Sequence, residues 1–119
     1  WSSFFLVDTG GLVRAGAADM LAEIGYTVLE AASASEALEV LKSGVRPDIL
    51  VTDYAMPGKT GAELAREARQ ALPGLPVLII TGYAMLNDEA GKDFPRLAKP
   101  FHLPELASQI AELMNRPGG

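Results

Sequence analysis

Three short apolar runs of this chain give way to turns, and the residues at those ends carry a carboxylate, a hydroxyl and an ammonium. Asp53 closes the run Asp48-Ile49-Leu50-Val51-Thr52-Asp53 and is followed at once by Tyr54-Ala55-Met56-Pro57-Gly58. Val77-Leu78-Ile79-Ile80 ends in Thr81-Gly82, and Leu97-Ala98 ends in Lys99-Pro100. A second carboxylate, Asp8, follows Phe4-Phe5-Leu6-Val7. An aspartate can attack phosphorus and carry an acyl phosphate. Such a step calls for charge neutralisation more than for acid–base help, from a divalent cation, a lysine and a hydroxyl donor. Oxygen ligands with open water positions suit Mg2+. The same residues also admit a plainer role, a buried ion pair between Lys99 and Asp53 that only holds the loops.

These side chains share a site only if the elements before them line up. Runs of Ile, Leu and Val bounded by turn residues read as short buried strands. Strands are expected over Phe4–Val7, Thr27–Leu29, 48–52, 76–80 and 96–98. Between them lie amphipathic helices. Leu12, Val13, Ala17, Met20, Leu21 and Ile24 fall at helical spacing before Gly25. Ser33 with Glu36, and Thr60 with Glu63, are spaced as capping boxes. The first leads a helix carrying Ala37, Leu38, Val40 and Leu41 to Gly44; the second leads Leu64, Ala68 and Leu72 to Pro73. A short helix is expected over Leu86–Ala90. Pro104 suits the first turn of a last helix with Leu106, Ile110, Leu113 and Met114 inward. Continuous apolar strands alternating with helices predict an α/β fold, (βα) repeated five times, with a doubly wound five-stranded parallel sheet. Right-handed crossovers bring the C-terminal strand ends to one edge, where open α/β sheets place their chemistry. Asp8, Asp53, Thr81 and Lys99 would all stand there.

At 119 residues the chain is one domain, with a core expected over about 4–115. There are no cysteines, which excludes disulfides and thiolate metal sites and fits a reducing, cytoplasmic location. No apolar stretch reaches the length of a membrane span, and no secretory signal is visible. A net charge of −5 argues against nucleic-acid binding by this chain, because neutralising phosphates takes clustered Lys and Arg. Trp1-Ser2-Ser3 and Arg116-Pro117-Gly118-Gly119 read as the loose ends of a piece cut from something longer.

Asp48-Ile-Leu-Val-Thr-Asp53-Tyr-Ala-Met-Pro-Gly, Val77-Leu-Ile-Ile-Thr81-Gly-Tyr and Ala98-Lys99-Pro100-Phe101, in that order, resemble the receiver domain of two-component response regulators. Gly25-Tyr-Thr-Val-Leu-Glu-Ala-Ala-Ser-Ala-Ser-Glu-Ala-Leu is similar to the same family, and the likeness runs from Phe5 to Met114. Features of the later half resemble the receivers attached to hybrid sensor kinases. The resemblance implies a flavodoxin-like receiver fold and a phospho-accepting signalling module. Asp53 would be the phospho-acceptor. Lys99 would pair with the phosphoryl oxygens, Thr81 would hydrogen-bond the phosphoryl group and report it by moving, and Pro100 would hold the local geometry. Asp8, Asp53 and the Ala55 backbone carbonyl would hold Mg2+. Ala55 and Tyr83 would sit where the family tunes loss of the phosphoryl group. A histidine kinase or histidine phosphotransfer protein would supply that group, in two-component signalling or a phosphorelay. Output would pass through the fourth and fifth helices and the strand between them. Such a domain is not a dedicated enzyme, although it can lose its phosphoryl group slowly by itself.

Two positions depart from the family pattern. Receivers usually carry two adjacent acids after the first strand; here Asp8 is followed by Thr9. A neutral hydroxyl in place of a carboxylate should weaken the hold on a hard dication, so Mg2+ is expected to bind weakly. Receivers that switch by aromatic rotation place Tyr or Phe three residues before the lysine, where this chain has Arg96. Phe94 shares the strand parity of that position, although Pro95 stands between.

Two other functions compete. One is a pseudo-receiver, the same fold used as an interaction module with weak or no phosphorylation, which Thr9 and Arg96 favour. The other starts from Asp8-Thr9-Gly10, the signature of aspartic proteases, whose small dimeric members pool two carboxylates around one proton. Those enzymes are nearly all β, and the marked helices here oppose them.

Overall fold

The fold is that of a computed structural model, which describes residues 3–8, 16–82, 94–99 and 101–115. Its strands are β1 (Ser3–Val7), β2 (Thr27–Ala31), β3 (Ile49–Asp53), β4 (Val77–Gly82) and β5 (Arg96–Lys99). Its helices are α1 (Ala17–Glu23), α2 (Ala34–Lys42), α3 (Gly61–Ala71) and α4 (Leu103–Met114). The helix expected over Leu86–Ala90 lies outside the described residues, as does the first stretch of the expected first helix, so α4 is the fifth helix of the sequence reading.

All four strand pairings are parallel, in the order β2-β1-β3-β4-β5. The chain leaves β1 for one side and returns to the other, so the direction of winding reverses between β1 and β3. The C-terminal mouth of such a reversal is where open α/β sheets bind ligands. An all-β protease is thereby ruled out.

Strand alternation splits the core in two. Phe5, Val7, Leu50, Val77 and Ile79 point to one face, where the apolar residues of α2 and α3 cover them. Phe4, Leu6, Ile49, Val51, Leu78 and Ile80 point to the other, under Leu21 of α1 and Leu106 and Ile110 of α4. The central strands β1, β3 and β4 are buried on both faces, which is why they read as unbroken apolar runs. Phe4, Phe5, Leu6, Ile49, Leu50, Leu78 and Ile79 are fully buried, each worth about 2 kcal/mol in apolar area removed from water.

The helix ends follow the expected chemistry with one difference. At α3 the Thr60 hydroxyl accepts the Glu63 N–H at 3.2 Å and the Glu63 carboxylate accepts the Thr60 N–H at 3.3 Å, a closed capping box. At α2 Ser33 accepts the Glu36 N–H at 3.1 Å, but Glu36 reaches past it to the Ala32 N–H at 3.2 Å. The second half of that box therefore ties down the end of β2 instead. Asp48, read as the first residue of the third strand, stands just before β3, and its carboxylate accepts the Ser3 N–H at 2.6 Å, fixing the start of β1.

Candidate functional site

Asp53 is the last residue of β3, and Asp8 stands one residue past β1. The registers pair Val7 with Thr52, and the same register continued by one residue sets Asp8 beside Asp53. On the other side β4 pairs with β5 through Thr81↔Ala98 and Gly82↔Lys99, which brings Thr81 and Lys99 to the same rim. The rim is dry for a polar site. Asp8 is 5% exposed, Asp53 4% and Thr81 1%.

Lys99 reaches over the rim with its side chain 44% exposed, and its Nζ lies 3.1 Å from Asp53 Oδ1. The ammonium is close but poorly aligned, so Oδ1 is a buried acceptor with an ion-pair contact and no well-formed hydrogen bond. Burial pushes the Asp53 carboxyl up from an ordinary 3.8, and the Asp8 carboxyl hydrogen-bonded to it pushes the same way. The Lys99 ammonium pulls it down but only partly, and the group settles at about 6. Asp53 is thus a strained acid, charged at neutral pH yet short of compensation.

That imbalance bears on whether a dication suits the site. Two adjacent carboxylates, one with an under-used buried oxygen, form an oxygen donor set facing a single ammonium. Hard dications take such donors. Ala55 is exposed and lies two residues beyond Asp53, in the loop that leaves the rim. The residues present fit Mg2+, with fewer charges than a site of three acids.

The acceptor loop is held by its backbone. The Tyr54 N–H donates to the Ile80 carbonyl at 2.8 Å, and the Gly61 N–H to the Tyr54 carbonyl at 2.7 Å. The Thr52 hydroxyl donates to the Asp53 carbonyl at 3.0 Å. The Thr81 hydroxyl donates to the Gly82 carbonyl at 3.2 Å, so it stands at the rim engaged with its own strand end.

Of the residues singled out by sequence, Asp8, Asp53, Thr81 and Lys99 stand at one rim, and Ala55 follows Asp53 by two residues. Thr9, Tyr83 and Pro100 lie outside the described residues. Arg96 opens β5 and is half-buried. Phe94, entertained as a substitute switch aromatic, is a core residue at the opposite end of β5 from Lys99. It is 6% exposed, packs with Leu75, Val77 and Ile79, and lies under the Arg69 guanidinium at 4.8 Å. An aromatic so enclosed is not placed to rotate against Thr81. Gly61 and Thr52 were not singled out. Gly61 carried a faint signal, a glycine where a capping box opens a helix and Ala would be the better former.

A doubly wound parallel sheet that gathers buried aspartates, a threonine and a lysine at its winding reversal defines a class of site, one that takes up an anionic group on a carboxylate. The family model described as the response regulator receiver domain matches residues 4–111, and the chain belongs to that family. It is accordingly a phospho-accepting module of two-component signalling. The chain is 38% identical to the sensor kinase CckA of Brucella abortus over 120 residues, covering 97% of this chain and 13% of that protein. It is 34% identical to the chemotaxis protein CheY of Pseudomonas aeruginosa over 122 residues, covering 96% of this chain and 97% of that one. It superposes on the response regulator TrrA of Thermotoga maritima, crystallised with Mg2+ and BeF, with a TM-score of 0.83 and 27% identity over 95% of this chain and 99% of that chain. The share of its relatives that it spans thus runs from 13% of the kinase to nearly all of the chemotaxis protein.

Proposed function

We propose that Asp53 is the residue that takes the phosphoryl group, and that it does so from a phosphohistidine of a kinase or phosphotransfer protein. A carboxylate oxygen of Asp53 bonds to phosphorus while the bond from phosphorus to the imidazole nitrogen breaks. The electron pair leaves with the imidazole, which departs neutral with its proton on the other nitrogen. Asp53 needs no base, since above about pH 6 it is already a carboxylate. Lys99 stays near the transferred oxygens, and Thr81 offers its hydroxyl by turning from the Gly82 carbonyl. Mg2+, when bound by Asp8, Asp53 and the Ala55 carbonyl, would supply positive charge against the phosphoryl oxygens. Thr9 in place of a second acid makes that binding weak.

The observation that carries this reading is Asp53 itself, buried at the winding reversal with Lys99 3.1 Å away and a second carboxylate beside it. A purely structural ion pair gives no reason for Asp8 to raise the cost of keeping Asp53 charged. The likeness to a sensor kinase, of which this chain matches 13%, supports a receiver attached to a kinase. No described helix is long and apolar enough to cross a membrane. We take the domain to work in the cytoplasm, to pass its signal through α4, β5 and the segment before them, and to lose its phosphoryl group slowly unaided. Residues 4–115 form its single folded unit.

The test is intact mass after incubation with acetyl phosphate and Mg2+. One added phosphoryl group, absent in Asp53→Asn, is expected. No gain from acetyl phosphate or from a phosphorylated histidine phosphotransfer protein, even at high Mg2+, would return the chain to a pseudo-receiver.

A further inference from the structure

The first residue of α3 touches the acceptor through backbone alone. Gly61 is buried, and its N–H closes on the Tyr54 carbonyl at 2.7 Å. Its φ is not among the positive values of the chain, so no turn geometry calls for glycine there. What calls for it is space. A Cβ at Gly61 would lie 2.2 Å from the Asp53 carbonyl oxygen, 3.0 Å from its carbonyl carbon and 3.1 Å from the Tyr54 Cα. All three obstacles are backbone, so no rotamer change relieves them.

We propose that Gly61 is a positioning residue for phosphoryl transfer: its missing side chain lets α3 seat directly on the Asp53–Tyr54 peptide and hold the acceptor carboxylate at the rim. The inference rests on Asp53 being the acceptor. The seat has three hydrogen-bond supports. β4 holds the Tyr54 N–H through the Ile80 carbonyl, α3 holds the Tyr54 carbonyl through Gly61, and Thr52 holds the Asp53 carbonyl. Between Tyr54 and Gly61 the chain makes a loop that contains Ala55, and this one hydrogen bond closes it. The Thr60–Glu63 box fixes where α3 begins, and hence where Gly61 lies.

A methyl group at Gly61 would begin 2.2 Å from the Asp53 carbonyl oxygen, so the two backbones must part by about 1.2 Å for it to reach ordinary contact near 3.4 Å. Displacing a reacting group by about 1 Å costs on the order of a hundredfold in rate. The shift falls on the peptide that carries the nucleophile and not on the segments that carry Lys99, at the end of β5, and Asp8, just past β1.

The experiment compares the parent, Gly61→Ala, Thr60→Ala and Ala65→Gly, the last being a buried α3 residue not among those found around Asp53. Urea unfolding first establishes conditions in which each protein is fully folded. Rates of phosphorylation by acetyl phosphate at saturating Mg2+ and affinity for beryllofluoride, read by 19F NMR, are then measured. Gly61→Ala is expected to lose at least tenfold in both, with Ala65→Gly within twofold of the parent despite its own loss of stability. A folded Gly61→Ala within twofold of the parent overturns the proposal. If Gly61→Ala does not fold, Thr60→Ala decides. It unfastens the start of α3 and should slow phosphorylation at least threefold, whereas a rate equal to that of Ala65→Gly overturns the proposal. A parent that takes up no phosphoryl group removes Asp53 as acceptor, and this inference with it.

Discussion

Replacing Asp53 by Asn removes a charge that the fold holds against its own environment, and without metal the variant is expected to be more stable than the parent at neutral pH. Burial and the neighbouring Asp8 raise the Asp53 carboxyl from 3.8 to about 6, with Lys99 only partly opposing them. At roughly 1.4 kcal/mol per pH unit this corresponds to about 3 kcal/mol. The folded protein binds this proton more tightly than the unfolded chain does. The stability it contributes is therefore fully present below pH 3.8 and is lost as the pH rises from 3.8 through about 6. Asn has nearly the same shape and no charge, so it escapes that loss. Its amide must still be accommodated at a buried position, and Lys99 loses its counter-charge, so the expected gain at pH 7.5 is about 1–3 kcal/mol. At about 4 °C per kcal/mol for a domain of this size, the midpoint should rise by roughly 4–12 °C. The assay is urea unfolding of both proteins in EDTA at pH 7.5 and pH 4.5, between which the advantage of the variant should shrink by about 2 kcal/mol. Mg2+ should then stabilise the parent more than the variant. An Asn variant less stable than the parent at pH 7.5, or a gap that ignores pH, would refute the electrostatic account.

Lys99→Ala should fold normally, since the lysine is half-exposed, yet take up phosphoryl groups at least tenfold more slowly in a mass-resolved time course; a rate within twofold counts against its role. Thr9→Asp should tighten Mg2+ binding about tenfold or more in calorimetric titration, because affinity follows ligand charge, and an unchanged affinity would clear Thr9 of weakening the site. At low Mg2+ the phosphorylation rate should climb between about pH 5 and 7 as Asp53 loses its proton, and a flat profile would contradict the raised value of about 6. Phe94→Ala should cost about 3 kcal/mol in urea unfolding, as a buried aromatic does, while the folded protein is phosphorylated within twofold of the parent rate.

Most of the fold was legible because its strands and helices obey different periods. β1, β3 and β4 are buried on both faces and show it as unbroken apolar runs, and the Thr60–Glu63 box marked the start of α3 correctly. The site was legible for the same reason: once each polar residue is placed at the end of a parallel strand, topology alone brings Asp53, Asp8, Thr81 and Lys99 together. What sequence could not supply was anything decided by closeness between elements. Gly61 is a glycine because the carbonyl at the end of β3 occupies the space of its Cβ, and spacing along the chain carries no record of that distance. Phe94 shares strand parity with Arg96, so parity left it open as a switch. Its burial under Arg69 depends on a helix more than twenty residues earlier. Glu36 had the spacing of a capping box, but a neighbouring donor, the Ala32 N–H, competed for its carboxylate and won.

The replacement at Thr9 reads differently once the charges are set side by side. The described site holds two carboxylates against one ammonium, and a second acid at position 9 would make it three against one. A carboxylate added to this rim would improve a dication's hold and also raise the cost of the metal-free fold, because Asp8 and Asp53 are already buried there. It would further repel the phosphoryl group, itself an anion, that Asp53 is proposed to accept. Losing one acid would therefore weaken metal binding, as proposed above, and lessen the need for it at the same time. The two effects separate in the Mg2+ dependence of the phosphorylation rate. If Thr9 only impairs the site, Thr9→Asp should phosphorylate faster than the parent at every Mg2+ concentration. If it re-tunes the site, the two curves should cross, with the parent faster at low Mg2+ and Thr9→Asp faster at saturation. The charge balance favours crossing: with Lys99 the one cation contacting Asp53 among the described residues, every further negative charge there must be met from solution.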